Sequence, residues 1–494
     1  MNILRRLRRT AIGLVSTAAV VLATIVLVRA FDARHMGPLK PWQKVAPASE
    51  VTARDLDDAF SIRQYLAREE IVFEEVRTRV ESAIAPGDRE PANRYWPDGP
   101  LSPSRLPKDW NRTFELVPER IRGGVLLVHG LTDAPYSMRR LAEIYRDLGF
   151  YALALRMPGH GTVPGALTRT DWTDWAAAVR VGARHVKARA GDGAPFHIVG
   201  YSNGGALAVD YALDVLDGSK LPRADRLVLV SPMIGVGRAA GFARVFGLLG
   251  VFPYFETSRW LDVMPEYIPF KYVSFPVNAA TQTAALTKAI RAKTTRAVKT
   301  RTIGGLPPIL TFVSLVDATV RTDSTVRDLY DRLGSNGSAL VVFDVNRSSV
   351  VRPFLRRREE GRLDRLLPRR PRPYRLTVVT NAAAGTREVV ERNVAAGRED
   401  AGVRPLGLSW PDGVYSLSHV ALPFPPDDPL YGSELAPDDP FPVQLGTLQP
   451  RGERAVLTVP VEQLMRLTWN PFFPFVEERV RAWASLPAQP PEPL

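Results

Sequence analysis

The stretch that decides the fold is "FHIVGYSNGGALAVDYAL", residues 196–213. It opens on an apolar run and passes through Gly200-Tyr201-Ser202-Asn203-Gly204. It ends on small and apolar residues at helical spacing. Ser202 thus falls between a predicted strand and a predicted helix, with a glycine two residues to either side. A nucleophile elbow needs a buried strand to deliver the residue and a strained turn to expose it. It also needs small neighbours for close backbone approach, and a helix whose N-terminal amides face the site. A plain strand-helix turn needs less than this, so the two readings must be separated by the rest of the chain.

Outward from this stretch, strands and helices alternate. Short apolar runs occur at 113–117, 123–130, 151–157, 196–202, 226–232, 309–317 and 339–345. Helical patterns lie between them, in "YSMRRLAEIYRDLG", "WTDWAAAVRVGARHVKAR", "GGALAVDYALDVL" and "STVRDLYDRL". Near-continuous apolar strands separated by helices imply an α/β fold, a mostly parallel sheet with helices on both faces. Residues 233–305 interrupt the rhythm with aromatic, amphipathic material and are expected to form a helical cap insertion. In that cap Phe252, Phe255 and Trp260 are either cap core or the lining of an acyl pocket. A second strand-like run, "YRLTVVTNA" (374–382), leaves two candidates for the last core strand, 339–345 and 375–381.

Serine needs a base to take its proton and an acid to orient that base. Of the six histidines, His35 adjoins the N-terminal linker, while His129 ("VHG") and His160 ("GHG") precede the serine. His185 falls in a helix and His197 inside the strand before Ser202. His419, in "YSLSHVALPFP", lies late in the chain on a predicted loop. Asp317 ends the strand "ILTFVSLVD", at the carboxyl edge where open α/β sheets place their sites. Asp323, six residues on, is the competing acid. Ser202, Asp317, His419 is the chain order of the serine, acid and histidine triad in this kind of fold. His129 and His160 are expected to shape loops, and Trp172 and Trp175 to pack a helix.

The matching segments "LLVHGLTDAPYSM", "LRMPGHGTVPGAL" with "DWTDW", "VGYSNGGAL", "VSLVDATV" and "SLSHVALP" resemble the α/β-hydrolase family. The branch is the serine-aminopeptidase-like and monoacylglycerol-lipase-like one, and the resemblance spans about residues 114–425. It implies an α/β-hydrolase fold with Ser202 as nucleophile, His419 as base and Asp317 as orienting acid. It also implies an oxyanion hole from the amides of Leu131 and Asn203, with His129, Gly130, Gly200 and Gly204 as supporting motif positions. No "HGGG" is present, and the excursion before His419 is unusually long. The implied activity is ester hydrolysis through an acyl-enzyme, with no metal and no cofactor. Monoacylglycerols or lysophospholipids are the expected substrate class. A peptidase on the same fold would use cap carboxylates such as Glu256, Asp262 and Glu266 to hold a free amino terminus. A non-catalytic membrane-tethered binding protein is the reading from another class.

The N-terminus adds a location. Arg5, Arg6, Arg8 and Arg9 precede an uncharged, mostly apolar run of 18 residues, Ala11 to Val28. That run is close to the length that spans a bilayer, and the flanking charge puts the N-terminus in the cytoplasm. The expectation is an N-terminal transmembrane helix acting as a signal anchor, with the catalytic domain on the periplasmic or extracellular side. A cleaved signal peptide is the competing reading. The chain contains no cysteine, which excludes disulfides and thiolate chemistry.

The formal charge is +13, but residues 1–9 carry +4 and residues 352–375 carry +7, so the remaining chain is nearly balanced. No basic groove with interleaved aromatics is evident, and no nucleic-acid partner is expected. The basic segment 352–375 reads as a solvated loop or as a contact for anionic lipid. The domain plan is therefore 1–32 anchor, 33–113 linker and helical extension, 114–232 first core part and 233–305 cap. The second core part follows at 306–430, with an Arg-rich insertion near 346–375, and then a C-terminal extension at 431–494.

Overall fold

The computed structural model describes residues 37–235, 253–434 and 456–486, with isolated positions between 12 and 24 and between 441 and 451. The predicted span 11–28 and His35 lie outside the continuously described residues. Among the described residues no helix is long and apolar enough to cross a membrane.

A ten-stranded sheet forms the centre. Its strands are β1 (Phe114–Leu116), β2 (Gly123–Val128), β3 (Phe150–Leu155), β4 (Phe196–Tyr201) and β5 (Arg226–Val230). A separate ribbon, β6 (Trp260–Asp262) with β7 (Phe275–Pro276), intervenes in the chain. The sheet continues with β8 (Ile309–Ser314), β9 (Ala339–Phe343), β10 (Arg375–Asn381), β11 (Glu388–Val394) and β12 (Ala401–Ser409). The spatial order is β1-β3-β2-β4-β5-β8-β9-β10-β11-β12. From β3 to β10 every neighbour is parallel, while β1, β11 and β12 pair antiparallel at the margins. Both candidates for the last strand are therefore in the sheet. The 339–343 strand pairs with β8, and the 375–381 strand adds beside it and carries the antiparallel pair outward.

The parallel strands are buried on both faces, which is why they read as unbroken apolar runs. Leu126 and Val128 face helices α3 (Trp172–Ala190), α4 (Asn203–Leu216) and α5 (Val277–Lys299). Val125 and Leu127 face α2 (Arg139–Asp147) and α6 (Phe473–Ala484).

Several expected boundaries move. Residues 277–299, placed in the cap from sequence, form α5 on the sheet's helical layer. Its inward stripe is Ala279, Thr283, Leu286, Ile290, Thr294 and Ala297, too weakly apolar to announce a core helix. Lys293 ties it to Asp210 (2.7 Å) and Asp214 (2.5 Å) of α4. The described remainder of the cap, 253–276, lies over the loops after β2 and β3. There the Tyr272 amide donates to Thr132 O (2.7 Å), and the Tyr272 hydroxyl accepts from the Thr162 amide (2.7 Å).

The C-terminal extension likewise supplies core: Phe473, Val476, Val480 and Trp483 of α6 pack on the β sheet with α2. The stretch "STVRDLYDRL" is not one α-helix. It passes through a wide π turn (Thr325–Leu329) into a 3-10 turn, with the Tyr330 hydroxyl donating to Ala339 O (2.7 Å).

The expected linker 33–56 is packed from residue 39 onward. Trp42 stacks on Tyr95 at 5.3 Å, and Leu39, Val51 and Leu56 are buried. Helix α1 (Ile62–Arg79) starts at a capping box. Ser61 Oγ accepts from the Gln64 amide and the Ser61 amide donates to Gln64 Oε1. Its buried residues Tyr65, Glu69, Val72 and Val76 form one stripe. Glu50 and Glu69 both reach Arg156, just after β3.

Candidate active site

Ser202 stands between the end of β4 and the start of α4, with φ +54° and ψ −115°. A side-chain-bearing residue is strained there, and the strain is held by four backbone bonds. The Ser202 amide donates to Val230 O (2.9 Å), and Ser202 O accepts from the amides of Gly205 (3.0 Å), Ala206 (3.2 Å) and Met233 (2.9 Å). The flanking glycines are required by contact. A Cβ on Gly200 would lie 2.4 Å from Gly204 O, and one on Gly204 would lie 2.0 Å from Val128 O. The turn is thus wedged against β2.

Asp317 follows β8 at the same edge of the sheet. Its Oδ1 accepts from the amides of Thr319 (2.7 Å) and Val320 (2.9 Å). Its Oδ2 lies 2.8 Å from His419 Nδ1 and accepts from Ser231 Oγ (3.0 Å). Burial alone would push this carboxyl up. The His419 ring and the two amides outweigh it and hold Asp317 below the ordinary carboxylate range. His419 opens a 3-10 turn after β12, and its ring stacks on Tyr201 at 5.2 Å. Ser314 Oγ donates to Leu417 O (2.8 Å), fixing the histidine loop to β8.

Ser202, Asp317 and His419 are all buried. No hydrogen bond joins the Ser202 and His419 side chains; such contacts are often long in unliganded enzymes and tighten on substrate. Asp323 is turned away, in an ion pair with Arg321 (2.5 Å).

The amides of Leu131 and Asn203 have no hydrogen-bond acceptor among the described residues. Asn203 is the first residue of α4, where helix amides are free and the helix dipole favours negative charge. Leu131 follows Gly130, and a Cβ built on Gly130 comes within 3.2 Å of Ser202 Cβ. Residues 119–346 match the family model described as serine aminopeptidase, S33. The thermostable monoacylglycerol lipase of Bacillus sp. (strain H-257) is 32% identical over 198 residues, 40% of this chain and 71% of that protein.

The chain belongs to the α/β-hydrolase family. It sits on the monoacylglycerol-lipase-like branch and is a hydrolase. Two solved structures are also similar to this hydrolase. The monoacylglycerol lipase of Paleococcus ferrophilus has 18% identity and a TM-score of 0.35, covering 47% of this chain and 87% of that one. A soluble variant of monoglyceride lipase from Saccharomyces cerevisiae, bound to a substrate analog, has 15% identity and a TM-score of 0.36, covering 47% and 81%. Scores of that size decide nothing about site or substrate.

His129 and His160 hold loops, while His185 lies in α3 and His197 in β4. His129 Nε2 accepts from the Met157 amide (3.0 Å), so its proton sits on Nδ1, 2.8 Å from Gly130 O. Burial and the neighbouring His160 keep His129 far below its usual value. Burial pulls His160 down to about 3, and its Nδ1 lies 3.0 Å from Pro158 O. Trp175 is buried in helix packing, with its Nε1–H also on Pro158 O.

The cap carboxylates do not form a shared anchor. Glu266 is buried and accepts from the amides of Val273 (3.0 Å) and Ser274 (2.8 Å), while Asp262 faces solvent. Trp260 is fully buried in the ribbon; Phe252 and the Phe255 side chain lie outside the described residues. Among the described residues no three His, Asp or Glu side chains are spaced to hold a metal. Sequence reasoning missed Ser231, a second acceptor-fixing partner for Asp317. Its one signal was its place at the end of β5, in "VSP" at the same sheet edge; φ +41° there marks a strained residue.

Proposed function

We propose that this hydrolase cleaves carboxylic esters by serine catalysis at Ser202. His419 takes the Ser202 proton as the oxygen attacks the ester carbonyl. Asp317 holds the imidazole with Nδ1 protonated, so that Nε2 is the accepting nitrogen. The amides of Leu131 and Asn203 receive the developing oxyanion. His419 then returns the proton to the leaving alcohol, and an acyl-Ser202 remains. Water, deprotonated by the same histidine, releases the acid. The observation that carries this reading is the buried 2.8 Å contact between His419 Nδ1 and Asp317 Oδ2, at the edge where Ser202 is held in its strained turn.

The substrate class that fits best is a monoacylglycerol or lysophospholipid. The lipase from the Bacillus strain supports it, and so does the aromatic character of the cap sequence. A pocket for a free amino terminus lacks support, because Glu266 already accepts two backbone amides. The basic start and the apolar run 11–28 support a signal anchor with the catalytic domain outside the cytoplasm.

Fluorophosphonate labelling tests the mechanism. The wild type labels and Ser202→Ala does not, and kcat/KM on esters falls by about 10⁴-fold or more in the variant. Labelling that survives Ser202→Ala, or a folded wild type that neither labels nor cleaves any ester, overturns it. A reporter fused to the C-terminus that reads as cytoplasmic overturns the topology.

A further inference from the structure

The basic segment is not only charged. Val350 is 69% exposed, Phe354 is 85% exposed, and they flank Arg352 in a single turn, "VVRPFLRRR" (350–358). One exposed apolar residue is ordinary; several on one loop edge among basic side chains mark a surface that something covers. The turn is anchored by its beginning. Ser348 bridges to Gly385, just past the C-terminal end of β10, and the Ser349 amide donates to Gly385 O (3.0 Å). The Arg352 amide donates to Ser348 O (2.9 Å). The Asn346 amide donates to Tyr415 O (2.8 Å), and Tyr415, four residues before His419, is itself 61% exposed. Three exposed apolar side chains thus belong to the edge of the sheet that carries Ser202 and His419.

The charges around them are largely uncompensated. Arg358 and Arg362 share Glu359, and Arg370 pairs with Asp331. Arg352, Arg356 and Arg357 have no acidic partner among the described residues, and all three are exposed; Arg369 and Arg375 lie toward the start of β10, at the opposite edge of the sheet. Exposed apolar tips among unpaired guanidinium groups fit an anionic bilayer. Its phosphates take the arginines and its interfacial layer takes the apolar tips.

We propose that the turn Val350–Arg358, together with Tyr415, docks on an anionic lipid bilayer and turns the Ser202 edge toward it. Docking does not depend on the catalytic reading; only its benefit to ester turnover rests on that reading. The chain has no cysteine, so one introduced cysteine carries one dye. The full-length chain is labelled at Ser349→Cys, or at Lys220→Cys on the opposite edge as control. It is then bound to vesicles of phosphatidylcholine alone or with phosphatidylglycerol, each containing brominated lipid as quencher. The dye at 349 is quenched on the anionic vesicles and much less on the neutral ones, and the dye at 220 on neither. Arg356→Ala lowers the docked-to-undocked ratio roughly fivefold, and Arg356→Ala with Arg357→Ala roughly 25-fold.

Equal quenching on both vesicles, no quenching of the bound protein, or indifference to the arginine replacements overturns the proposal. Capture of the turn by polyglutamate without bilayer quenching also overturns it, assigning the surface to an acidic protein. Ser202→Ala docks like the wild type, so a failure of the catalytic mechanism leaves this readout intact. With the mechanism in place, the double arginine variant loses turnover of vesicle-borne ester and keeps turnover of a short soluble ester.

Discussion

Two buried polar clusters sit at neighbouring loops of this hydrolase, and they are built to opposite ends. Around Arg156 the hydrogen-bonding capacity is used. Its Nε donates to Glu69 (3.1 Å), Nη1 to Glu50 and to His160 O (both 2.9 Å), and Nη2 to Glu50 (2.9 Å). Glu69 also accepts from the Thr113 amide and hydroxyl, and Glu50 from the Gly159 amide. Around Ser202 the capacity is left open. Among the described residues the Leu131 and Asn203 amides have no acceptor, and the Ser202 and His419 side chains are not bonded to each other. A satisfied cluster fixes the N-terminal extension to the core; an open one at the sheet edge is available to a reacting molecule.

The comparison is broken most severely at Asp317. Asp317→Asn is expected to lower kcat by about 10⁴-fold, because an amide offers His419 Nδ1 a donor or a weaker acceptor and loses the correct tautomer. Ester kinetics on a folded variant check this. A fall of less than tenfold would remove Asp317 from the role of orienting acid.

Arg156→Met should act in the reverse way. It leaves the buried Glu69 and the half-buried Glu50 uncompensated, and is expected to cost about 3–5 kcal/mol of stability in denaturant unfolding. Adding Glu50→Gln and Glu69→Gln should recover part of that loss. Ser202→Ala should change stability by no more than about 1 kcal/mol.

His197 sharpens the contrast with a smaller effect. It is buried in β4 against Phe150, and its Nδ1 has no partner among the described residues, yet it lies away from the site edge. Burial, then Arg226, lowers its value from 6.5 to about 3. A group neutral when folded and protonated when unfolded contributes its stability above 6.5, and that stability is lost as pH falls toward 3. His197→Phe should flatten the acid limb of the stability curve by about 1.4 kcal/mol per pH unit in that window. Activity should persist; its loss would show that an open valence marks function wherever it is buried.

Much of the candidate site's geometry was legible because its determinants are local. Gly200 and Gly204 announce a turn that no side chain fits, an apolar run announces a buried strand, and Asp317 ends another such run. His419 was legible by exclusion among six histidines. Ser231 was not, since nothing local distinguishes a serine that meets Asp317 across 86 positions from one that ends a strand. The Arg156 cluster was hidden for the same reason: residues 50, 69 and 156 meet only when the N-terminal segment wraps the sheet.

The sequence by itself determined the alternation of strand and helix, the strained serine turn and the residue types of a hydrolase, because period and sterics act over a few residues. Tertiary structure alone decided that 277–299 and 473–484 belong to the layers of the sheet and that 339–343 and 375–381 are both strands of it. It also decided which acid meets His419. Those outcomes depend on which surface each element finds to bury against, and that choice is made between segments distant in the chain.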